Sequence, residues 1–173
     1  MKGIIFNLLE EVVTQHLGAE TWDQLLADAG LDGVFTSLGN YPDEYLFKLV
    51  GAASAALGKP PAEIVRWFGA KAMPLLAQKY PQLFARHTSA RAFILTLNSI
   101  IHPEVRKLYP GADAPDFVFD ASSPDALVML YFSKRKLCAL AEGLSEGAAE
   151  QSARVRASPT MKARSPSCVS MTV

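Results

Sequence analysis

Three polar side chains at alternating positions are the first feature of this chain that suggests chemistry. Tyr131, Ser133 and Arg135 are each separated by a single residue. In an extended segment, side chains two residues apart point to the same face. That face would carry two hydroxyls and one guanidinium. Such a set of donors suits a phosphate or a pair of carboxylates.

A histidine precedes this cluster by 29 residues. His102 ends an apolar run with helical spacing that includes Phe93, Leu97 and Ile101. A histidine at a helix end more often interacts with the helix dipole, but an imidazole in apolar surroundings can also be an axial ligand to iron. One imidazole for the metal and a polar clamp for two propionates are the two requirements of a haem site.

The composition narrows the class of protein. Half of the 173 residues are hydrophobic, so a single domain can bury a sizeable core. The 17 basic residues balance the 17 acidic ones, which leaves no field to attract nucleic acid or anionic lipid. The chain has two cysteines, no signal peptide and no apolar run of about 18 residues. These features predict a cytoplasmic protein without a membrane segment.

The spacing of apolar residues predicts helices in the first two-thirds of the chain. Expected helices begin near Ile4 and at Trp22 (with Thr21 as N-cap), Glu44, Pro61 and Thr88, the last of them running to His102. Pro74 is expected to bend or end the fourth of these helices, because proline lacks an N–H and its ring clashes one turn back.

The pattern changes after Tyr109. Residues 117–119 and 126–132 are rich in strand-forming types, residues 135–150 return to helical spacing, and the tail from Arg154 suggests short strands of one antiparallel sheet. Helices followed by strands favour an α+β fold.

A series of short motifs in a fixed order resembles one known family. The motifs are Thr21-Trp22, Tyr41-Pro42-Asp43-Glu44, Trp67-Phe68-Gly69, Ile101-His102-Pro103-Glu104-Val105, Tyr109-Pro110, Pro115, Tyr131–Arg135 and Glu142-Gly143-Leu144. Together they resemble the H-NOX domains, the haem-nitric oxide/oxygen binding family that includes the sensor domain of soluble guanylate cyclase. The resemblance covers residues 1–173 as one domain. It implies a helical part, about 1–110, over a sheet-bearing part, about 111–173, with haem b buried between them.

The resemblance also assigns roles to individual residues. It implies that His102 is the proximal ligand of ferrous iron and that Tyr131, Ser133 and Arg135 hold the propionates. Pro115 matches the proline that presses on the haem. Residues that match the distal wall of the family's pocket are Ile5, Leu9, Leu140 and Leu144. Oxygen-binding members carry a tyrosine at the position of Leu140, so this pocket is expected to favour nitric oxide over O₂.

The function implied by the resemblance is a nitric oxide sensor with no catalysis of its own. Nitric oxide would break the bond to His102, and the haem would relax against Pro115 and shift the helical part. Gly69 and Gly143 are expected to tolerate that motion, because a glycine inside a helix costs about 1 kcal/mol and calls for a reason. Carbon monoxide should occupy the same site. Stand-alone bacterial members control a histidine kinase or a cyclic-di-GMP enzyme, so a separate protein partner is expected.

Two other functions are compatible with the residues. A haem enzyme of the peroxidase or NO-dioxygenase type would need a distal acid–base group, and a haem-free helical interaction domain would need none of the site residues. Cys138 and Cys168 are too few for a structural zinc site, so zinc is not expected. The sequence is compatible with a redox-active pair, but buried, inert thiols are the favoured interpretation. Glu142, Glu146 and Glu150 form an acidic row, typical of a solvated helix face or of a partner surface.

Overall fold

The computed structural model describes residues 1–152 and the backbone of residues 153–155, 162–163 and 171–172. The helices are α1 (Gly3–Leu17), α2 (Ala19–Ala29), α3 (Asp43–Leu57), α4 (Pro61–Lys79), α5 (Pro81–Phe84), α6 (Ala90–Ile94), a π-helix (Leu97–Ile101), α7 (His102–Leu108) and α8 (Cys138–Val155). The strands are β1 (Asp116–Asp120), β2 (Val128–Phe132), β3 (Lys162–Ala163) and β4 (Met171–Thr172). The predicted α+β architecture is confirmed.

Helices α1 to α4 enclose the first core, and their ends largely follow the sequence. Gly30 and Gly58 end α2 and α3 in the left-handed conformation, with φ of 63° and 62°, as expected for glycine at a helix C-terminus. The predicted N-cap of α2 is wrong. This helix begins at Ala19, and the Thr21 hydroxyl donates to the Leu17 carbonyl at 2.8 Å instead.

Pro74 does not end α4, which continues to Lys79. Proline removes one helical hydrogen bond, but Met73 and Leu75 on either side of it are only 5% and 7% exposed. Their burial stabilises the helix through the proline. Of the two predicted effects of Pro74, a bend or an end of α4, the end is therefore wrong.

The single helix predicted from Thr88 to His102 is broken in the structure. It consists of α6, the π-helix and the first residue of α7. The last piece, α7, begins at His102, and Pro103 lies in its first turn, where the missing N–H is not needed. His102 itself keeps helical angles, with φ −65° and ψ −39°. A π-helix directly before a functional residue is a common arrangement.

The second core lies between α6, α8 and the sheet. β1 and β2 pair antiparallel, with Phe117 opposite Tyr131 and Phe119 opposite Met129, and the sheet order is β1-β2-β4-β3. Phe117 and Met129 are buried in this core. The hairpin therefore carries Tyr131 towards the α6–α7 segment that contains His102.

Glycines allow α8 to pack very closely along α4. A Cβ atom on Gly69 would lie 2.7 Å from the Leu140 carbonyl oxygen, and one on Gly143 would overlap the Arg66 carbonyl. Gly69 and Gly143, expected from the sequence to permit motion, thus have a packing role. The same seam holds the Arg66 guanidinium between the carboxylates of Glu142 and Glu146, so two members of the acidic row form ion pairs rather than a free solvated face.

Of the two cysteines, Cys138 lies in the described part of the chain. Cys138 begins α8 and is only 7% exposed, so its predicted burial is confirmed. Cys168 lies outside the described residues. No helix in the described part of the chain is long and apolar enough to cross a lipid bilayer.

Candidate functional site

A mainly apolar cavity of about 330 Å³ lies between the two cores. This volume is within the range of roughly 300–1,000 Å³ that small-molecule sites occupy. His102, Tyr131, Ser133 and Arg135 all line it. The fold therefore brings to one cavity the polar residues that the sequence suggested as parts of one site.

His102 is the metal-ligating candidate of this cavity. Its Nδ1 atom is buried and has no hydrogen-bond partner among the described residues, which is uncommon for a buried polar atom. Burial lowers the pKa of His102 to about 4, and the charge of Arg106 adds to this. The Asp116 charge and the Pro115 carbonyl partly offset this effect, because both raise the pKa of His102. The Pro115 carbonyl makes no hydrogen bond to Nδ1. The imidazole is thus neutral at pH 7, the form that binds metal ions.

Asn98 fixes the segment that leads into His102. Its Nδ2 donates to the Phe117 carbonyl at 2.6 Å, and the Phe117 N–H donates to Asn98 Oδ1 at 3.1 Å. This pair of bonds ties the π-helix to β1, and the rings of Phe117 and His102 lie 5.9 Å apart. Sequence reasoning missed Asn98. The feature of the sequence that could have identified it is a single amide side chain in a mainly apolar segment.

Tyr131, Ser133 and Arg135 come together through a turn, because β2 ends at Phe132. The prediction that they share one face of an extended segment is therefore wrong. The turn includes Lys136 with φ of 53°. Within it the Arg135 N–H donates to Ser133 Oγ at 3.2 Å, and the Leu137 N–H donates to the Tyr131 hydroxyl at 3.3 Å.

The guanidinium of Arg135 binds carboxylates. Nε donates to Asp43 Oδ2 at 2.7 Å, and Nη1 donates to Asp113 Oδ2 at 3.0 Å and to the Asp113 carbonyl at 2.7 Å. Burial tends to raise the pKa of Asp43, but hydrogen bonds from the N-terminal ammonium and Arg135, together with their charges, lower it overall. Asp43 belongs to a motif noted in the sequence, but its contact with Arg135 was not predicted.

The predicted apolar wall is placed mostly as expected. Pro115, Ile5, Leu140 and Leu144 line the cavity. Leu9 does not, because it is buried in the core of α1 to α4, 7% exposed. The neighbouring Leu8, about 100° away around α1, lines the cavity in addition to Ile5.

Three hydroxyl groups that sequence reasoning missed also line the cavity. They belong to Tyr80, Tyr109 and Ser145. The hydroxyls of Tyr80 and Tyr109 form a short hydrogen bond with each other, and Ser145 Oγ donates to Met129 Sδ at 3.9 Å. The cavity is therefore less uniformly apolar than the predicted distal wall, but these hydroxyls all have protein partners.

The sequence model of the Haem-NO-binding family matches residues 2–153. The chain belongs to the H-NOX family. Its members are haem-binding gas-sensor domains. The H-NOX protein of S. oneidensis, solved in the Fe(II)NO state, is 32% identical, with 87% of this chain and 84% of that chain covered and a TM-score of 0.81.

Two further H-NOX structures have the same fold. The protein of Shewanella woodyi, solved in the Fe(II)CO state with IWP-051 bound, is 35% identical, with 87% of this chain and 80% of that chain covered and a TM-score of 0.74. The unliganded Fe(II) protein of K. algicida is 25% identical, with 99% of this chain and 94% of that chain covered and a TM-score of 0.81. The H-NOX cavity of the present chain has the donors that a haem needs: a neutral buried imidazole and a carboxylate-binding guanidinium in an apolar setting.

Proposed function

We propose that this chain is a cytoplasmic, haem-based nitric oxide sensor that regulates a separate signalling protein and is not an enzyme. The observation that carries the proposal is His102, a neutral imidazole with an unpartnered buried Nδ1, which lines the same cavity as Arg135. Relatives solved with ferrous iron carrying nitric oxide or carbon monoxide support it.

The residues of the cavity suit haem b. His102 would hold the iron, while Arg135, Ser133 and Tyr131 would bind the propionates at the other side of the site. Arg135 already accommodates two carboxylates, and a planar guanidinium binds such groups better than a point charge. Pro115 lines the cavity near the His102 segment and would contact the macrocycle. When bound, the ferrous haem supplies the position at which a diatomic gas coordinates.

Discrimination against O₂ would follow from the apolar side chains of Ile5, Leu140 and Leu144. A hydrogen bond to bound O₂ is worth roughly 1–3 kcal/mol, or roughly 5- to 150-fold in affinity. These three residues offer no donor, and Ser145 already donates to Met129. Nitric oxide and carbon monoxide depend less on such a donor, so the cavity favours them.

Arg135 gives a physical route from the cavity to the rest of the fold. Its guanidinium joins Asp43 at the start of α3 to Asp113 just before β1. Propionates that bind Arg135 would compete with these carboxylates and thereby alter the contact between the helical and sheet-bearing parts of the 1–173 domain. We propose that the altered surface acts on a histidine kinase or a cyclic-di-GMP enzyme.

A peroxidase or NO-dioxygenase function is the weaker candidate. Such enzymes need a histidine or arginine on the gas side as acid–base group. Among the described residues, His102 and Arg135 are the only histidine and arginine that line the cavity, and both have other proposed roles. Zinc is not part of the proposal, because two cysteines are too few for a structural zinc site.

Absorption spectra of the purified ferrous protein test the proposal. We expect a haem spectrum that changes with nitric oxide and with carbon monoxide, and no stable oxygen complex in air. A stable oxygen complex would contradict the proposed selectivity, and rapid turnover of peroxide would indicate an enzyme. A protein that binds no haem, even when haem is supplied during expression, would contradict the proposal entirely.

A further inference from the structure

Tyr80 and Tyr109 make a contact that the proposed haem site does not use. Their hydroxyls form a short hydrogen bond, and their rings meet edge-on with centroids 6.5 Å apart. Both residues line the cavity and both are partly buried. A hydrogen bond between two side chains inside a mainly apolar cavity suggests a positioning function, because each hydroxyl would be costly to bury alone.

The two tyrosines occupy equivalent places at the ends of two helices. Tyr80 follows α4 and Tyr109 follows α7, and each precedes a proline. Their backbone angles are similar, φ −131° and ψ 56° for Tyr80 and φ −128° and ψ 79° for Tyr109. The helical conformation is disfavoured for a residue that precedes a proline, and neither tyrosine adopts it. The backbone therefore helps to hold both phenol rings in place.

Tyr109 lies on the same face of α7 as His102. The two residues are seven positions apart, which is close to two turns of an α-helix. The helical hydrogen-bond pattern reaches Tyr109, whose N–H donates to the Val105 carbonyl at 2.8 Å. Val105, between them on this face, also lines the cavity. A displacement of the Tyr109 side chain would therefore move the face of α7 that carries His102.

Each end of α7 thus has its own attachment. Asn98 ties the π-helix before His102 to β1, and Tyr80 ties the other end of α7 to α4. Most buried residues of α4 belong to the first core, whereas Phe117 of β1 belongs to the second. The Tyr80–Tyr109 pair accordingly connects α7, which carries the ligand histidine, to α4.

We propose that Tyr80 and Tyr109 are positioning residues that set the orientation of the His102 imidazole through the rigid α7 helix. This inference rests on the proposed function, since it assumes that His102 holds the haem iron. Burial first, and then the bond to Tyr80, raises the pKa of the Tyr109 phenol, so the Tyr109 hydroxyl stays protonated throughout the physiological range.

The test compares Tyr80→Phe, Tyr109→Phe and the double variant with Tyr45→Phe. Tyr45 is also partly buried and packs against the first core, but it does not line the cavity. The readouts are the iron–imidazole stretching band of the ferrous protein and amide hydrogen exchange of residues 102–108, the latter in both haem-free and haem-loaded protein. Thermal unfolding of each variant checks that it folds.

Each of the Tyr80 and Tyr109 variants should displace or broaden the stretching band and raise exchange in α7 by roughly fivefold, as the loss of one hydrogen bond implies. The double variant should resemble either single variant, because all three lack the same bond. Tyr45→Phe should leave both readouts unchanged. Folded variants with an unchanged band and unchanged exchange in α7 would overturn the inference.

A different experimental result would show that the proposed function itself is wrong. If a His102→Gly variant keeps the parent's haem spectrum, the iron is not held by His102 and the proposed site is wrong, whatever the tyrosine variants do. If His102→Gly loses that spectrum while the tyrosine variants leave the band in place, the site is right and only the positioning role is refuted.

Discussion

Arg135 Nε donates to Asp43 Oδ2 at 2.7 Å across 92 residues of sequence. The Asp43 carboxylate also binds the N-terminal ammonium at 2.7 Å, and Arg135 binds Asp113. The Arg135 side chain is only 18% exposed. A mostly buried guanidinium needs partners, and here two carboxylates supply them at the cavity where we propose that propionates bind.

Replacing Arg135 by alanine should weaken haem retention more than replacing Lys134, its exposed neighbour. Arg135 lines the cavity and can bind carboxylates in a fork, whereas Lys134 does neither. We expect haem transfer to an acceptor apoprotein to accelerate about tenfold or more in Arg135→Ala, consistent with roughly 1.5–3 kcal/mol for a charged hydrogen bond. Similar transfer rates in the two variants would argue against a propionate clamp.

Asp43→Asn should lower the free energy of unfolding at pH 7 by about 1 kcal/mol, a modest amount because the carboxylate is partly exposed. The pKa of Asp43 is lowered by folding. Its contribution is therefore present above its ordinary pKa near 4 and is lost as the pH falls through the folded value. Urea unfolding curves of the parent and the variant should converge in acid. A difference that stays constant from pH 7 to pH 3 would show that the charge of Asp43 is not involved.

Haem binding should stay constant as the pH falls through the ordinary titration range of histidine and should weaken only at lower pH. A proton and a metal compete for a free imidazole nitrogen, and the pKa of His102 in the empty cavity is about 4. Haem uptake by the apoprotein should thus be constant from pH 8 to roughly pH 5 and fall only as the pH approaches that value. A midpoint near pH 6.5 would indicate that His102 is not in the buried, neutral state described above.

Leu140→Tyr tests the proposed basis of gas selectivity. The substitution places a hydroxyl donor in the cavity wall, which can stabilise bound O₂ if neighbouring groups orient it. We expect the ferrous parent to form no stable oxygen complex and the variant to gain measurable O₂ affinity, with nitric oxide binding retained in both. Leu140→Phe is the matched control without a hydroxyl. Equal O₂ affinity in the tyrosine and phenylalanine variants would exclude the missing donor as the cause.

The sequence predicted which polar residues line the cavity better than it predicted the path of the backbone. His102 and Arg135 could be proposed for iron and propionates because few residue types suit these groups, and the order of the motifs pointed to the family. The π-helix before His102 could not be predicted, since Leu97–Ile101 has the apolar spacing of an ordinary helix and the contact of Asn98 with Phe117 joins residues 19 positions apart.

Long-range polar contacts were also beyond sequence reasoning. The Asp43–Arg135 and Tyr80–Tyr109 bonds join residues 92 and 29 positions apart, and no local pattern encodes either of them. Gly69 and Gly143 were noticed but explained by motion, whereas the structure places them where α4 and α8 touch backbone to backbone. In each case the missing information was which segments of the chain are neighbours in the folded protein.

The most direct test of the proposed site is the absorption spectrum of His102→Gly, purified with and without free imidazole. Glycine removes the only imidazole that lines the cavity among the described residues and leaves space for a free one. We predict that the variant loses haem when imidazole is absent and regains a ferrous spectrum like that of the parent when imidazole is present. Full haem content with an unchanged spectrum in the absence of imidazole would contradict the assignment of His102 as the iron ligand.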